Sequence, residues 1–222
     1  MSRAAGVPCR AVLGVTNARN VEQFTGGAPQ LFEAAGREQL AVLLDHGLTS
    51  KSKVADLGCG ALRGGRWVIP LLEPFGYCGV EPFREKVERG LRDFVNPDLV
   101  RLLRPRFSYN ADFSLDDFSE TFTHVILRSV WTHSTREQIE QSLDAFVEHS
   151  TADAVMLTSV VPISYLPFHW YPDYRGSTWV APDVVAHRRG WLRAACHERG
   201  LDVARVHRKP LGGQRWLRIT RR

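Results

Sequence analysis

Cysteine is scarce and scattered. Cys9, Cys59, Cys78 and Cys196 form no C-x-x-C pair. That argues against a zinc site or a disulfide framework and fits reduced thiols in a cytoplasm. Long apolar runs are also missing. None reaches the roughly 18 residues needed to span a bilayer. The start, MSRAAGVPCRAVLGV, lacks the hydrophobic core of a secretory signal. Lysine is rare beside arginine, and apart from a short tail, Arg218 to Arg222, the basic side chains are dispersed. The net charge of +5 therefore reads as a solvated basic surface. A nucleic-acid footprint clusters its charge and interleaves aromatics.

What remains is ordinary for one globular α/β domain: 222 residues, 44% hydrophobic and 24% charged. Residues 1–28 lack periodicity and read as an N-terminal arm or lid. Residues 29–222 read as a single domain. From Gln30, the spacing of Leu31, Ala34, Ala35, Leu40, Leu43 and Leu44 predicts a helix that stops at Gly47.

The organising stretch is VADLGCGALRGG, residues 54–65. It predicts a buried strand ending at Asp56, a turn through Gly58 and Gly60, and a helix whose free N–H groups face a ligand. A dinucleotide and S-adenosylmethionine both suit a strand, glycine turn and helix. The dinucleotide pattern G-x-G-x-x-G needs a third glycine at position 63, which is Arg. The stretch instead resembles motif I of the class I S-adenosylmethionine-dependent methyltransferases, roughly D-x-G-x-G-x-G. Asp56, Gly58 and Gly60 match, and Leu62 stands where the third glycine would be.

Further along, Tyr77–Val80 predicts a second strand ending at Glu81, 23 residues past Gly58. A carboxylate there is placed to accept from ribose hydroxyls. The resemblance implies that Asp112 accepts from the adenine amino group and Phe113 covers the ring, with Asp116 and Asp117 as competitors for the acidic role. It implies a cofactor set of Asp56, Gly58, Cys59, Gly60, Glu81, Asp112, Phe113 and Arg128. Phe122–Val130 predicts a buried fourth strand, Thr135–His149 a helix, Ala154–Val161 a fifth strand and Asp183–Arg199 a helix capped by Asp183. Leu201–His207 and Arg215–Thr220 flank a short glycine turn and must be antiparallel. The expected fold is a three-layer Rossmann-like methyltransferase sandwich with a seven-stranded, mostly parallel sheet and an antiparallel last strand.

Residues 162–182 break the rhythm with four prolines, six Phe, Tyr or Trp side chains and His169. A loop this long is usually functional, and its aromatics argue against disorder. It reads as a substrate-facing lid carrying Tyr165, Trp170, Tyr171 and Trp179, with Trp131 opposite. His133, at the lip after the fourth strand, is a candidate base, or it caps the next helix or packs under it. His169 is a second candidate. Arg128 is either an anchor for a carboxylate or phosphate, or a structural ion-pair residue.

The N-P-P-Y motif of DNA and protein amino-methyltransferases is absent, as is a lysine–acid pair of the metal-dependent catechol type, so no metal is expected. The leading expectation is a cytoplasmic small-molecule methyltransferase of secondary metabolism using S-adenosylmethionine. No nucleic-acid or membrane partner is expected, and a homodimer is left open. The alternative is a methyltransferase-like enzyme that cyclises the aminocarboxypropyl arm of S-adenosylmethionine to azetidine-2-carboxylate, releasing methylthioadenosine. An RNA methyltransferase and a non-catalytic binding domain are further alternatives.

Overall fold

A computed structural model describes residues 29–166, 169–181, 183–209 and 211–222. The expected arm or lid at 1–28 lies outside them. Helix α1 (Pro29–Asp45) precedes β1 (Val54–Leu57). The glycine turn leads into a one-turn α2 (Gly65–Val68), which Pro70 converts to a 3-10 turn over Ile69–Leu71. Then follow β2 (Tyr77–Val80), α3 (Arg84–Phe94), α4 (Pro97–Leu103), β3 (Arg106–Ser108), β4 (Phe122–Leu127), α5 (Arg136–His149) and β5 (Ser150–Val160). A hairpin of β6 (Ser164–Leu166) and β7 (His169–Tyr171) comes next, then α6 (Arg189–Glu198), β8 (Leu201–Arg205) and β9 (Arg215–Arg221).

The main sheet runs β3-β2-β1-β4-β5-β9-β8. β1 to β5 are mutually parallel, and β9 enters antiparallel between β5 and β8. Strand alternation sends side chains to two cores. Ala55, Leu57, Val125, Leu127 and Met156 pack with Ile139, Leu143 and Phe146 of α5 and Leu192 of α6. Val54, Tyr77, Ile126, Leu157 and Trp216 pack with Val42 and Leu43 of α1, Val68 of α2 and Val87 of α3. This is the expected helix–sheet–helix sandwich. Its strand order reverses between β1 and β4, where such sheets open a ligand crevice at the carboxyl ends of the strands. No helix among the described residues is long and apolar enough to cross a membrane.

Two expectations need correction. The stretch at 162–182 is not all loop, because the β6–β7 hairpin occupies part of it. The helix expected from Asp183 begins only at Arg189, with Arg188 at its N-cap. The preceding residues stay extended because their backbone is bonded elsewhere: the Val185 N–H donates to the Thr132 carbonyl at 2.8 Å and the Ala186 carbonyl accepts from Tyr174. Tertiary partners outcompete the first helical turn. By contrast, Thr135 and Gln138 form a reciprocal capping box that starts α5 as its sequence predicts.

Helix α3 lies close under the glycine turn. A Cβ on Gly90 would sit 2.6 Å from the Ala61 carbonyl oxygen. Helix propensity alone favours Gly90→Ala by about 1 kcal/mol. The clash should reverse the sign, with urea denaturation showing a net loss of about 1–3 kcal/mol.

Candidate active site

The turn after β1 is shaped by two glycines. Gly58 has φ +76°, and a Cβ there would meet Val130 Cγ2 at 2.5 Å. It is the close approach of the β1 exit to the β4 exit that excludes a side chain. Gly60 has φ +55°, and its added Cβ would meet nothing nearer than Glu81 Oε2 at 4.0 Å. Space is therefore open in front of Gly60. Leu62, where the third glycine of the motif would stand, adopts φ +58° with its side chain fully buried. Leucine keeps the left-handed turn at a cost of about 1–2 kcal/mol. The later N–H groups of the following helix are bonded within the turn. Arg66 donates to the Leu62 carbonyl, and Trp67 and Val68 donate to that of Gly64.

Asp56 is buried on the α1–α2 side, where its Oδ2 accepts from the Tyr77 hydroxyl at 2.7 Å. Burial pushes its carboxyl up to about 6, opposed by the Tyr77 bond and the charge of Arg63. Cys59 is buried against Gly79 and donates its N–H to Val80. Burial raises its thiol well above the ordinary range, which leaves it inert. Glu81, at the tip of β2, is also buried. Its Oε2 accepts from the Gly60 N–H at 3.1 Å and its Oε1 from the Phe83 N–H at 3.2 Å. Phe83 is 57% exposed beside it. Sequence reasoning passed over this ring, although an aromatic two residues beyond an acidic strand tip was the available signal.

Asp112 is exposed and accepts from the Ser114 N–H. It lines a polar cavity of about 390 Å³ with Thr135, Glu137, Gln138, Gln141 and Ser177. Phe113, at φ +64°, is buried in the α5-side core. Asp117 accepts from Ser108 Oγ and Asp116 from Ser114 Oγ. Asp116 also joins Glu148 and His149 in a group of potential metal ligands at the far end of α5, where both carboxylates are exposed.

The exit of β4 separates the remaining candidates. The Arg128 guanidinium is buried. It donates to Glu38 Oε2 (3.2 Å), Ser129 Oγ (3.1 Å), the Leu211 carbonyl (3.1 Å) and Gln214 Oε1, and it faces the Trp216 ring. These partners match the structural ion-pair alternative, tying α1 and the β8–β9 turn to the crevice wall. Trp131, expected to face substrate, is 1% exposed in the core and donates its Nε1–H to Ser142 of α5 at 3.0 Å. That placement is a correction, since the residue after Val130 turns inward under α5.

His133 stays at the lip. Its Nδ1 lies 2.6 Å from the Asp183 carbonyl and its ring 5.5 Å from that of Trp179, which is 44% exposed. Burial lowers its pKa below 6.5. In the hairpin, Tyr165 pairs with Trp170 and Leu166 with His169, but the side chains of Tyr165, His169 and Trp170 lie outside the described residues. Tyr171 pairs with Ser164 and is half-buried.

No known family profile matches the chain, and no curated protein matches it. Solved structures do. Magnesium protoporphyrin IX methyltransferase from Synechocystis PCC 6803 with bound SAM is 15% identical, with a TM-score of 0.65 over 96% of this chain and 89% of that one. The chain has the class I methyltransferase fold. DesVI of Streptomyces venezuelae superposes at TM-score 0.63, with 13% identity over 95% of this chain and 100% of that one. The glycopeptide N-methyltransferase MtfA complexed with S-adenosyl-L-methionine gives 0.60, with 14% identity over 84% and 94%. In this methyltransferase fold Gly60 and Glu81 meet at the carboxyl ends of β1 and β2, and His133 follows the end of β4 beside Trp179.

Two substitutions test the turn. Gly58→Ala combines a strained φ with the Val130 contact. It should lower the melting point, and Val130→Ala added to it should restore part of the loss. For Asp56, the folded value near 6 exceeds the ordinary 3.8. Its contribution to stability is therefore present below pH 3.8 and lost as pH rises through 6. Asp56→Asn should cost less at pH 8 than at pH 5, by about 1.5 kcal/mol in urea denaturation.

Proposed function

We propose that the chain is a cytoplasmic S-adenosylmethionine-dependent methyltransferase acting on a small molecule of secondary metabolism. The observation that carries this reading is the open space in front of Gly60, bounded by the buried Glu81 carboxylate at the point where the strand order reverses. The residues present fit the cofactor. Glu81 can accept from ribose hydroxyls, Phe83 offers an exposed face to a base, and Asp112 remains an exposed acceptor. S-adenosylmethionine would supply a methyl group on a sulfonium, open to in-line displacement. Magnesium protoporphyrin IX methyltransferase, whose structure contains SAM, supports the cofactor by its fold.

The chain's own task is to position and to take a proton. His133 is the base. Its Nδ1 faces a carbonyl, which only accepts, so Nδ1 carries the hydrogen and Nε2 the lone pair. Burial keeps that imidazole neutral through the neutral pH range. The exposed face of Trp179 beside it suits a planar or cationic group. Arg128 holds the wall rather than the ligand, through Glu38 and Gln214.

Calorimetric titration should show S-adenosylhomocysteine binding, weakened by Glu81→Ala and retained by His133→Ala. With an acceptor present, His133→Ala should lower kcat by on the order of 100-fold. Wild-type kcat should fall only below pH 6.5. Formation of S-adenosylhomocysteine supports methyl transfer. Methylthioadenosine released without any acceptor would replace it by the cyclase reading, in which the substrate's own amine attacks its γ-carbon, the carbon–sulfur bond breaks, and His133 takes the amine proton. Absence of binding would overturn both readings.

A further inference from the structure

The turn between β4 and α5 is gripped by a single segment. Three consecutive carbonyls of the turn each accept from it: Thr132 from the Val185 N–H (2.8 Å), His133 from the Val180 N–H (3.1 Å) and Ser134 from His187 Nε2 (3.1 Å). In return, the Asp183 carbonyl of that segment accepts from His133 Nδ1 at 2.6 Å. The segment is anchored at its start by Asp173. This carboxylate is almost fully buried. It accepts from Arg136 Nη2 at 3.1 Å to each oxygen, from the Arg188 N–H at 3.0 Å and from Arg175 Nε at 3.2 Å. Arg136 is the first residue of α5, directly after the turn. The Tyr174 N–H donates to the Ala186 carbonyl at 2.8 Å and closes the segment on itself.

We propose that this segment, residues 173–181 and 183–187, is a clasp that holds His133 in the tautomer with hydrogen on Nδ1, and that Asp173 and His187 are positioning residues for that base. The proposal rests on His133 being the base of the proposed reaction. Which ring nitrogen carries the hydrogen is set by the bond the other makes. Among the described residues, His133 Nε2 has no hydrogen-bond partner, so it is the nitrogen left to accept a proton. Without the Asp183 carbonyl, no group among the described residues keeps the hydrogen on Nδ1. Nε2–H then becomes accessible, and in that form Nε2 cannot act as a base. The aromatic stretch is thus divided: the β6–β7 hairpin stands before the clasp, and the clasp brings Trp179 onto His133.

The test is nitrogen NMR of the full chain labelled with ¹⁵N-histidine, with no cofactor added. Wild-type His133 should show a protonated Nδ1 and a bare Nε2. A protonated Nε2 in the wild type overturns the proposal. Asp173→Asn should populate the Nε2–H form and lower kcat by about tenfold or more, with KM changed far less. Should that variant fail to fold, His187→Phe and His187→Gln give the same information. Glutamine can still donate to the Ser134 carbonyl and should restore the wild-type spectrum and kcat, while phenylalanine should not. An unchanged tautomer in Asp173→Asn, or in His187→Phe, also overturns the proposal. The spectrum is read without turnover. A correct tautomer in a protein that binds no S-adenosylhomocysteine would leave the clasp standing and remove the methyltransferase reading.

Discussion

The exits of β1 and β4 touch where the strand order reverses. Gly58 and Val130 approach so closely that a single Cβ at position 58 would fall 2.5 Å from a Val130 methyl group. A packed interior at crystal-like density has no slack to absorb such an atom. The turn through Gly60 reaches Glu81, and the lip that carries His133 starts three residues beyond Val130.

Around the contact the protein has buried several ionisable side chains. Asp56 and Tyr77 lie beneath the glycine turn, with Arg128 paired to Glu38 alongside. Buried ion pairs are poor sources of net stability, because desolvation offsets much of their attraction. Their consequence here is geometric. Arg128 bonds to α1, to Ser129 and to the β8–β9 turn at once, so the wall of the crevice is joined to elements distant in sequence. Leu62 fits the same pattern. A leucine held at positive φ is tolerated because its side chain fills the core above Gly65 and Gly90.

Much of the fold was legible in the residues. The four-residue strands Val54–Leu57 and Tyr77–Val80 declare themselves by mostly apolar character and by the glycine or acidic residue that follows each. The glycine turn before β9 did the same for the antiparallel end of the sheet. Trp131 was misjudged because proximity in sequence to His133 says nothing about which way a side chain turns after a strand ends. The start of α6 was misjudged because Asp183 is a good cap in isolation, and only the neighbouring turn shows that its carbonyl is engaged by His133.

Local chemistry by itself determined the layer architecture, the glycine turn and the carboxylate at the tip of β2. These depend on alternation, on the missing Cβ and on residues close in the chain. Tertiary structure alone decided that Arg128 braces a wall, that Trp131 is core, and that the His133 ring meets the Asp183 carbonyl. Each of those depends on a partner some 10 to 90 residues away in sequence, and short-range patterns carry no information about which distant atoms will meet.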